Sequence, residues 1–91
     1  MNSLHDLISD ILRDAFDASS LPRRFGDVAI SQRPDLAQFQ CSGAMAAAKT
    51  ARKNPLQIAK EVALKAERSG IFSNVSVASP GFINMTLSDP F

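Results

Sequence analysis

Val75-Ser76-Val77-Ala78-Ser79-Pro80-Gly81-Phe82-Ile83-Asn84-Met85-Thr86-Leu87 changes the rhythm of this chain. Val75 and Val77 alternate with serine, Ile83, Met85 and Leu87 alternate with Asn84 and Thr86, and Ser79-Pro80-Gly81 stands between the two runs. Period-two alternation on both sides of a Pro-Gly turn predicts a β-hairpin with one face buried. Immediately upstream the period is helical. Asn54-Pro55-Leu56-Gln57 supplies an N-cap Asn, a proline at the first helical position and Gln at the third. Ile58, Ala59, Val62, Ala63 and Ala66 then recur as a buried stripe, Glu61 and Lys65 form a supportive i,i+4 pair, and Gly70 marks the stop.

Working outward, Ser42–Ala51 is rich in alanine and reads as a second helix whose small side chains permit close approach. Lys49, Arg52 and Lys53 crowd its end, where cations complement the helix dipole. Val28-Ala29-Ile30 is a short apolar run that reads as a strand, ended by Arg33-Pro34-Asp35. Residues 18–27 mix turn formers without a period and read as a loop. At the N-terminus Leu4, Leu7, Ile8, Ile11, Leu12, Ala15 and Phe16 fall on the stripe of an amphipathic helix, with Ser3 and Asp6 as a capping pair. Asp6, Asp10, Asp14 and Asp17 share its opposite face. The order helix, strand, helix, helix, strand, strand predicts a single α+β domain over residues 1–91, its helices packed on one side of a small, mainly antiparallel β-sheet.

Composition narrows the class of function. The 91 residues are 45% apolar and 21% charged, ordinary for one globular domain and too apolar for a disordered tail. The formal charge of +1 does not by itself point to nucleic acid or a membrane. It is unevenly spread: residues 1–20 carry a net −3 and residues 21–91 a net +4. One cysteine and one histidine exclude a disulfide framework and a self-contained zinc site. No apolar run approaches a membrane span, and no secretory leader is visible, so a cytoplasmic location is expected.

Catalytic constellations are absent from this reading. Cys41 and His5 are the sole thiol–imidazole candidates, and nothing local joins them; a small buried Cys and an exposed His is the simpler expectation. The Asp stripe reads as a solvated face. The four glycines are too scattered to cradle a phosphate. Lys49, Arg52 and Lys53, with Arg23, Arg24 and Arg33, are available for phosphate contacts, or else solvate loops and a helix end. Phe39 lies between Gln38 and Gln40, just before a helix. An aromatic flanked by amides can stack on a splayed base while the amides read its edge; equally, it can act as a hydrophobic staple for the helix entry.

Several segments taken together resemble the additional N-terminal domain of arginyl-tRNA synthetase. They are Leu36-Ala37-Gln38-Phe39-Gln40-Cys41-Ser42-Gly43-Ala44-Met45, then Ala48-Lys49, then Asn54-Pro55-Leu56-Gln57-Ile58-Ala59. The last is Val75-Ser76-Val77-Ala78-Ser79-Pro80-Gly81-Phe82-Ile83-Asn84. Their order and spacing are kept over almost the whole chain, and Asp89-Pro90-Phe91 is similar as well. Leu36-Ala37 departs from the family's Phe-Gly, and Ser42 from its Asn.

The resemblance implies a domain that leans on the elbow of arginine-accepting tRNA and contacts its dihydrouridine loop. Gln38, Phe39, Gln40 and Ser42 are then the base-contact candidates, and Arg33, Lys49, Arg52 and Lys53 the phosphate-contact candidates. It implies a parent ligase that uses ATP in a following class I catalytic domain during protein biosynthesis. The His-Ile-Gly-His and Lys-Met-Ser-Lys-Ser signatures of that domain are missing here. This segment is therefore expected to have no catalytic residue, no metal and no cofactor of its own. Its partners would be tRNA and the parent's catalytic domain, with neither membrane nor DNA. A different class of function is a free-standing interaction module of the same fold that docks a partner through the apolar stripe of its first helix.

Overall fold

The computed structural model of the chain describes residues 4–30 and 39–87. Helix α1 spans Leu4–Ala18, and its stripe is covered as its period requires: Ile8, Leu12 and Phe16 are fully buried and Ala15 nearly so. Leu7 is 43% exposed and marks the edge of the stripe. Ser3, the expected cap, lies outside the described residues. The stripe is thus occupied by the protein's own core, and the interaction module that was to dock through it loses its surface. All four aspartates of the opposite face are exposed.

The segment expected as a loop contains one turn of 3-10 helix, Arg23–Gly26, between α1 and the sheet. It is held on both sides by glycine. A Cβ on Gly26 would lie 2.5 Å from the Arg13 Cα and 2.6 Å from the Leu12 carbonyl carbon; one on Gly43 would overlap the Phe25 carbonyl oxygen. The Phe25 ring meets Phe16 edge-on at 6.3 Å between centroids, a favourable aromatic geometry. The Cys41 thiol donates to the Phe25 carbonyl at 3.5 Å.

Strand β1 is Ala29–Ile30 and β2 is Phe39–Cys41. The second was not expected: three residues, Phe39 between two amides, carry too little alternation to be recognised. Helix α2, Gly43–Ala51, starts one residue later than its sequence suggests, with Ser42 at its N-cap making no side-chain capping bond. Helix α3, Pro55–Glu67, has the cap its sequence specifies. The Asn54 side chain accepts the Leu56 and Gln57 N–H groups at 2.8 and 3.4 Å. The helix ends three residues before Gly70, which takes φ +79° in the turn into the sheet.

Strands β3, Phe72–Ala78, and β4, Phe82–Leu87, form the expected hairpin through a turn containing a cis Ser79–Pro80 peptide. The sheet order is β1-β2-β4-β3, antiparallel throughout. The α+β class therefore stands, with one short strand added to the hairpin's inner edge. Cys41, Ile83 and Met85 are buried on the face that meets the helices, where Phe39, Val75, Val77 and Leu87 pack on the same core.

Two substitutions test this framework. Gly43→Ala is expected to cost roughly 1–3 kcal/mol or more, because the added methyl meets backbone rather than a side chain that can turn away. Asn54→Ala should cost about 1 kcal/mol and Asn54→Asp much less, since the carboxylate caps as well. Urea unfolding followed by circular dichroism reads both.

Candidate nucleic-acid interface

Strand alternation separates the residues that the sequence placed side by side. Phe39 pairs with Met85 and Cys41 with Ile83, all facing the helices, whereas Gln40 pairs with Asn84 on the opposite face. Phe39 is half-buried and packed on the core as a strand residue paired with Met85. Gln40 donates from Nε2 to Asn84 Oδ1 at 3.1 Å. Ser42 is exposed at the start of α2. Gln38 and Arg33 lie outside the described residues.

The cations sort themselves by what they already hold. Arg23 donates to Asp14 at 2.5 Å, and Arg24 stands 4.7 Å above the Phe25 ring, so both are engaged by the 3-10 turn and α1. Arg13 bridges Asp10 and Asp27 at 3.0 and 2.5 Å. Lys49, Arg52 and Lys53 are exposed and make no ion pair among the described residues. They gather at the α2–α3 junction, and Lys60 lines a shallow depression beside it with Asn54, Leu56 and Gln57.

Arg52 ends α2 with φ 55°, a left-handed conformation in which glycine is the usual residue. An L side chain there costs roughly 1–2 kcal/mol relative to the right-handed form. The helix capped by Ser42 carries Lys49 in its last turn and Arg52 as its C-cap, about 10 and 15 Å away along the axis. These cations therefore do not converge on Phe39. The start of α3, which follows them, lies against the β3–β4 turn, since a Cβ on Gly81 would lie 3.1 Å from the Pro55 Cβ and 3.3 Å from the Met45 Cγ.

Sequence reasoning passed over Phe82 and Asn84. Both sit in the polar phase of the hairpin alternation, and the signal was there: Phe82 is an aromatic where that phase otherwise supplies Asn and Thr. Phe82 pairs with the exposed Ala78 and shares the outer face with Gln40.

Nothing resembling a thiol–imidazole pair forms. The His5 Nε2–H donates to the Val28 carbonyl, while Cys41 is buried and bonded to Phe25. Among the described residues no group of three or more His, Cys, Asp and Glu side chains can hold a metal ion. No described helix is long and apolar enough to cross a membrane.

Among the described residues, an uncharged strand face with exposed cations gathered at one rim is an arrangement suited to binding. Comparison with known proteins gives the chain a family. The model for the arginyl tRNA synthetase N terminal domain matches residues 2–87. The chain is 48% identical over 89 residues to an arginine–tRNA ligase of Hyphomonas neptunium, covering 98% of this chain and 15% of that protein. It is 41% identical over its full length to the arginine–tRNA ligase of Alkaliphilus oremlandii, covering 16% of that protein. A further relative is the arginine–tRNA ligase of Francisella tularensis subsp. novicida, 39% identical over 89 residues. The chain belongs to the arginyl-tRNA synthetase N-terminal domain family, and it spans about 15% of the length of the curated relatives it matches.

Burial pushes the Cys41 thiol up to about 11 from its ordinary 9.0. The folded state thus prefers the neutral thiol, so stability is unaffected below pH 9 and falls as the pH climbs from about 9 towards about 11. Cys41→Ala is expected to flatten that part of the stability–pH curve. In the native protein Cys41 should react with a thiol reagent at pH 8 only as fast as the fold opens.

Proposed function

We propose that this chain is the tRNA-docking domain of an arginine–tRNA ligase, resting on the elbow of the tRNA beside its dihydrouridine loop. The observation that carries the reading is the match of residues 2–87 to the family, together with relatives named arginine–tRNA ligases. On this reading ATP and arginine are handled by the remainder of the parent enzyme, and the domain adds binding energy and orientation rather than chemistry. The exposed Lys49, Arg52 and Lys53 support it as phosphate contacts, with Arg33 as a further candidate. Gln38, Gln40 and Ser42 are the candidates for hydrogen bonds to bases. Phe39, already packed on the core, supports β2 beneath Gln40 and has only the uncovered part of its ring to offer a base.

Arg52 adds a physical reason to expect function at that rim. A left-handed cap filled by arginine gives up stability that glycine would supply, and strain of this kind is retained where a side chain is needed.

The test is equilibrium binding of tRNA across a salt series. Affinity should fall steeply as salt rises, because phosphate contacts release counterions. Arg52→Gly should leave the fold as stable or more so, yet weaken tRNA binding and reduce the slope of log affinity against log salt by about one. Nuclease footprinting should show protection in the dihydrouridine loop. Protection confined to the anticodon or acceptor end would defeat the elbow assignment.

A further inference from the structure

We infer that the outer edge of β3 is a self-pairing surface through which two copies of this chain join. Residues 74–78 of one copy run antiparallel to the same residues of the other. The inference stands apart from the tRNA-docking reading, and neither depends on the other.

The sheet treats its two edges differently. Among the described residues β1 forms one edge and β3 the other. Strand β1 is two residues long, Ala29–Ile30, and an edge that short offers almost nothing to pair with. Strand β3 runs for seven residues, Phe72–Ala78, without a lysine, a carboxylate or a proline, the usual devices that keep an edge from pairing. Its one strand neighbour among the described elements is β4, so alternate backbone N–H and C=O groups of β3 point away from the sheet. The side chains are unfinished in the same way. Ile83 and Met85 of β4 are fully buried on the side that meets the helices. Their direct partners Val77 and Val75 pack on the same core yet stay only half-buried.

Register names the occupant. A two-fold axis through Ser76 sets Val75 of each copy opposite Val77 of the other on the helix side, and Asn74 opposite Ala78 on the outer side. Both valines gain a β-branched cross-strand partner, and the paired backbones exchange about four to six hydrogen bonds. Both ends of the run are marked. The β3–β4 register shifts between Phe72 and Asn74, where the Ser73 hydroxyl donates to the Thr86 and Leu87 carbonyls. Beyond the other end Pro80 has no N–H to give.

Charge and closure agree with a second copy as the partner. No charged side chain in β3 opposes the match, and a formal charge of +1 per copy adds little repulsion. Each copy owns one long edge, so the pairing closes as a dimer, its two 4-stranded sheets joined into one, and does not grow into a fibre. The contact is small, so the dimer is a weak one, formed at high protein concentration.

The test is sedimentation of the 91-residue chain at low salt, from about 10 μM to about 1 mM, over which a monomer should become a dimer. Ser76→Lys and Ser76→Glu each set like charges face to face at the axis, at an exposed position that leaves the core untouched. Each alone should weaken association by about 5-fold or more. An equal mixture of the two should restore it to within about 2-fold of the unsubstituted chain, because Lys then meets Glu. That rescue is specific to this register, since a contact elsewhere would not bring the two positions together. Leu64→Ser removes the most exposed large apolar side chain among the described residues, on α3, and should change association by less than about 2-fold. Circular dichroism should show every variant folded. A chain still monomeric at about 1 mM overturns the proposal. So does a dimer that Leu64→Ser breaks and Ser76→Lys leaves intact, which would place the contact on α3.

Discussion

The close approach of backbone at the Arg23–Gly26 turn is the constraint from which the rest of the structure follows. On one side Gly26 lies against the backbone of Leu12 and Arg13; on the other the Phe25 carbonyl lies against Gly43 and accepts the Cys41 thiol. Helix α1 and the β2–α2 junction are thereby clamped through a single turn of chain. Neither approach tolerates a Cβ, so both glycines are dictated by distance rather than by flexibility. The Phe16–Phe25 ring contact then fills the space that the two approaches enclose.

That clamp sets which face of the sheet is covered. With α1 fixed against the turn, and α3 tied to it by Lys65 donating to the Ala18 carbonyl and the Ser19 hydroxyl, the helices occupy one side only. A second consequence is the separation of charge. The turn draws Arg13, Arg23 and Arg24 into contacts with the acidic face of α1 and with Phe25. Among the described cations left without an ion pair, Lys49, Arg52 and Lys53 cluster at the α2–α3 junction, which is why a molecule of formal charge +1 still presents a basic rim. The aspartates of α1 matter here as sinks for arginine, not as a site.

Long periods were legible in the sequence; short pairings were not. Helix α3 was readable because Asn54, Pro55 and Gln57 each act locally, within one helical turn. The β3–β4 hairpin was readable because alternation persists across a recognisable turn. Strand β2 was not, since Phe39–Cys41 is a strand only by virtue of partners about 44 residues away in β4. Missing β2 had a cost for the site as well. Read as an irregular segment, Gln38, Phe39 and Gln40 looked like one cluster, whereas pleating sends Phe39 inward and Gln40 outward. The α2 basic end was visible, but its neighbour was not: the contacts of Gly81 with Met45 and Pro55 set the α2–α3 region against the start of β4.

On the proposed reading the domain contributes binding, and its two kinds of polar group divide that work. Three exposed cations at a rim would supply attraction that any RNA feels and that salt screens, and so would set how often tRNA arrives rather than which one stays. Discrimination needs groups that lose something when the wrong base is present. On the proposed reading Gln40, held by Asn84, would do so, because a mismatched edge leaves its amide desolvated and unpaired. The two roles fall on different elements here, the cations on a helix junction and the amides on the sheet. On that reading attraction could be tuned at Arg52 without moving the sheet, since Arg52 sits in a left-handed cap outside the strands where glycine is the usual residue.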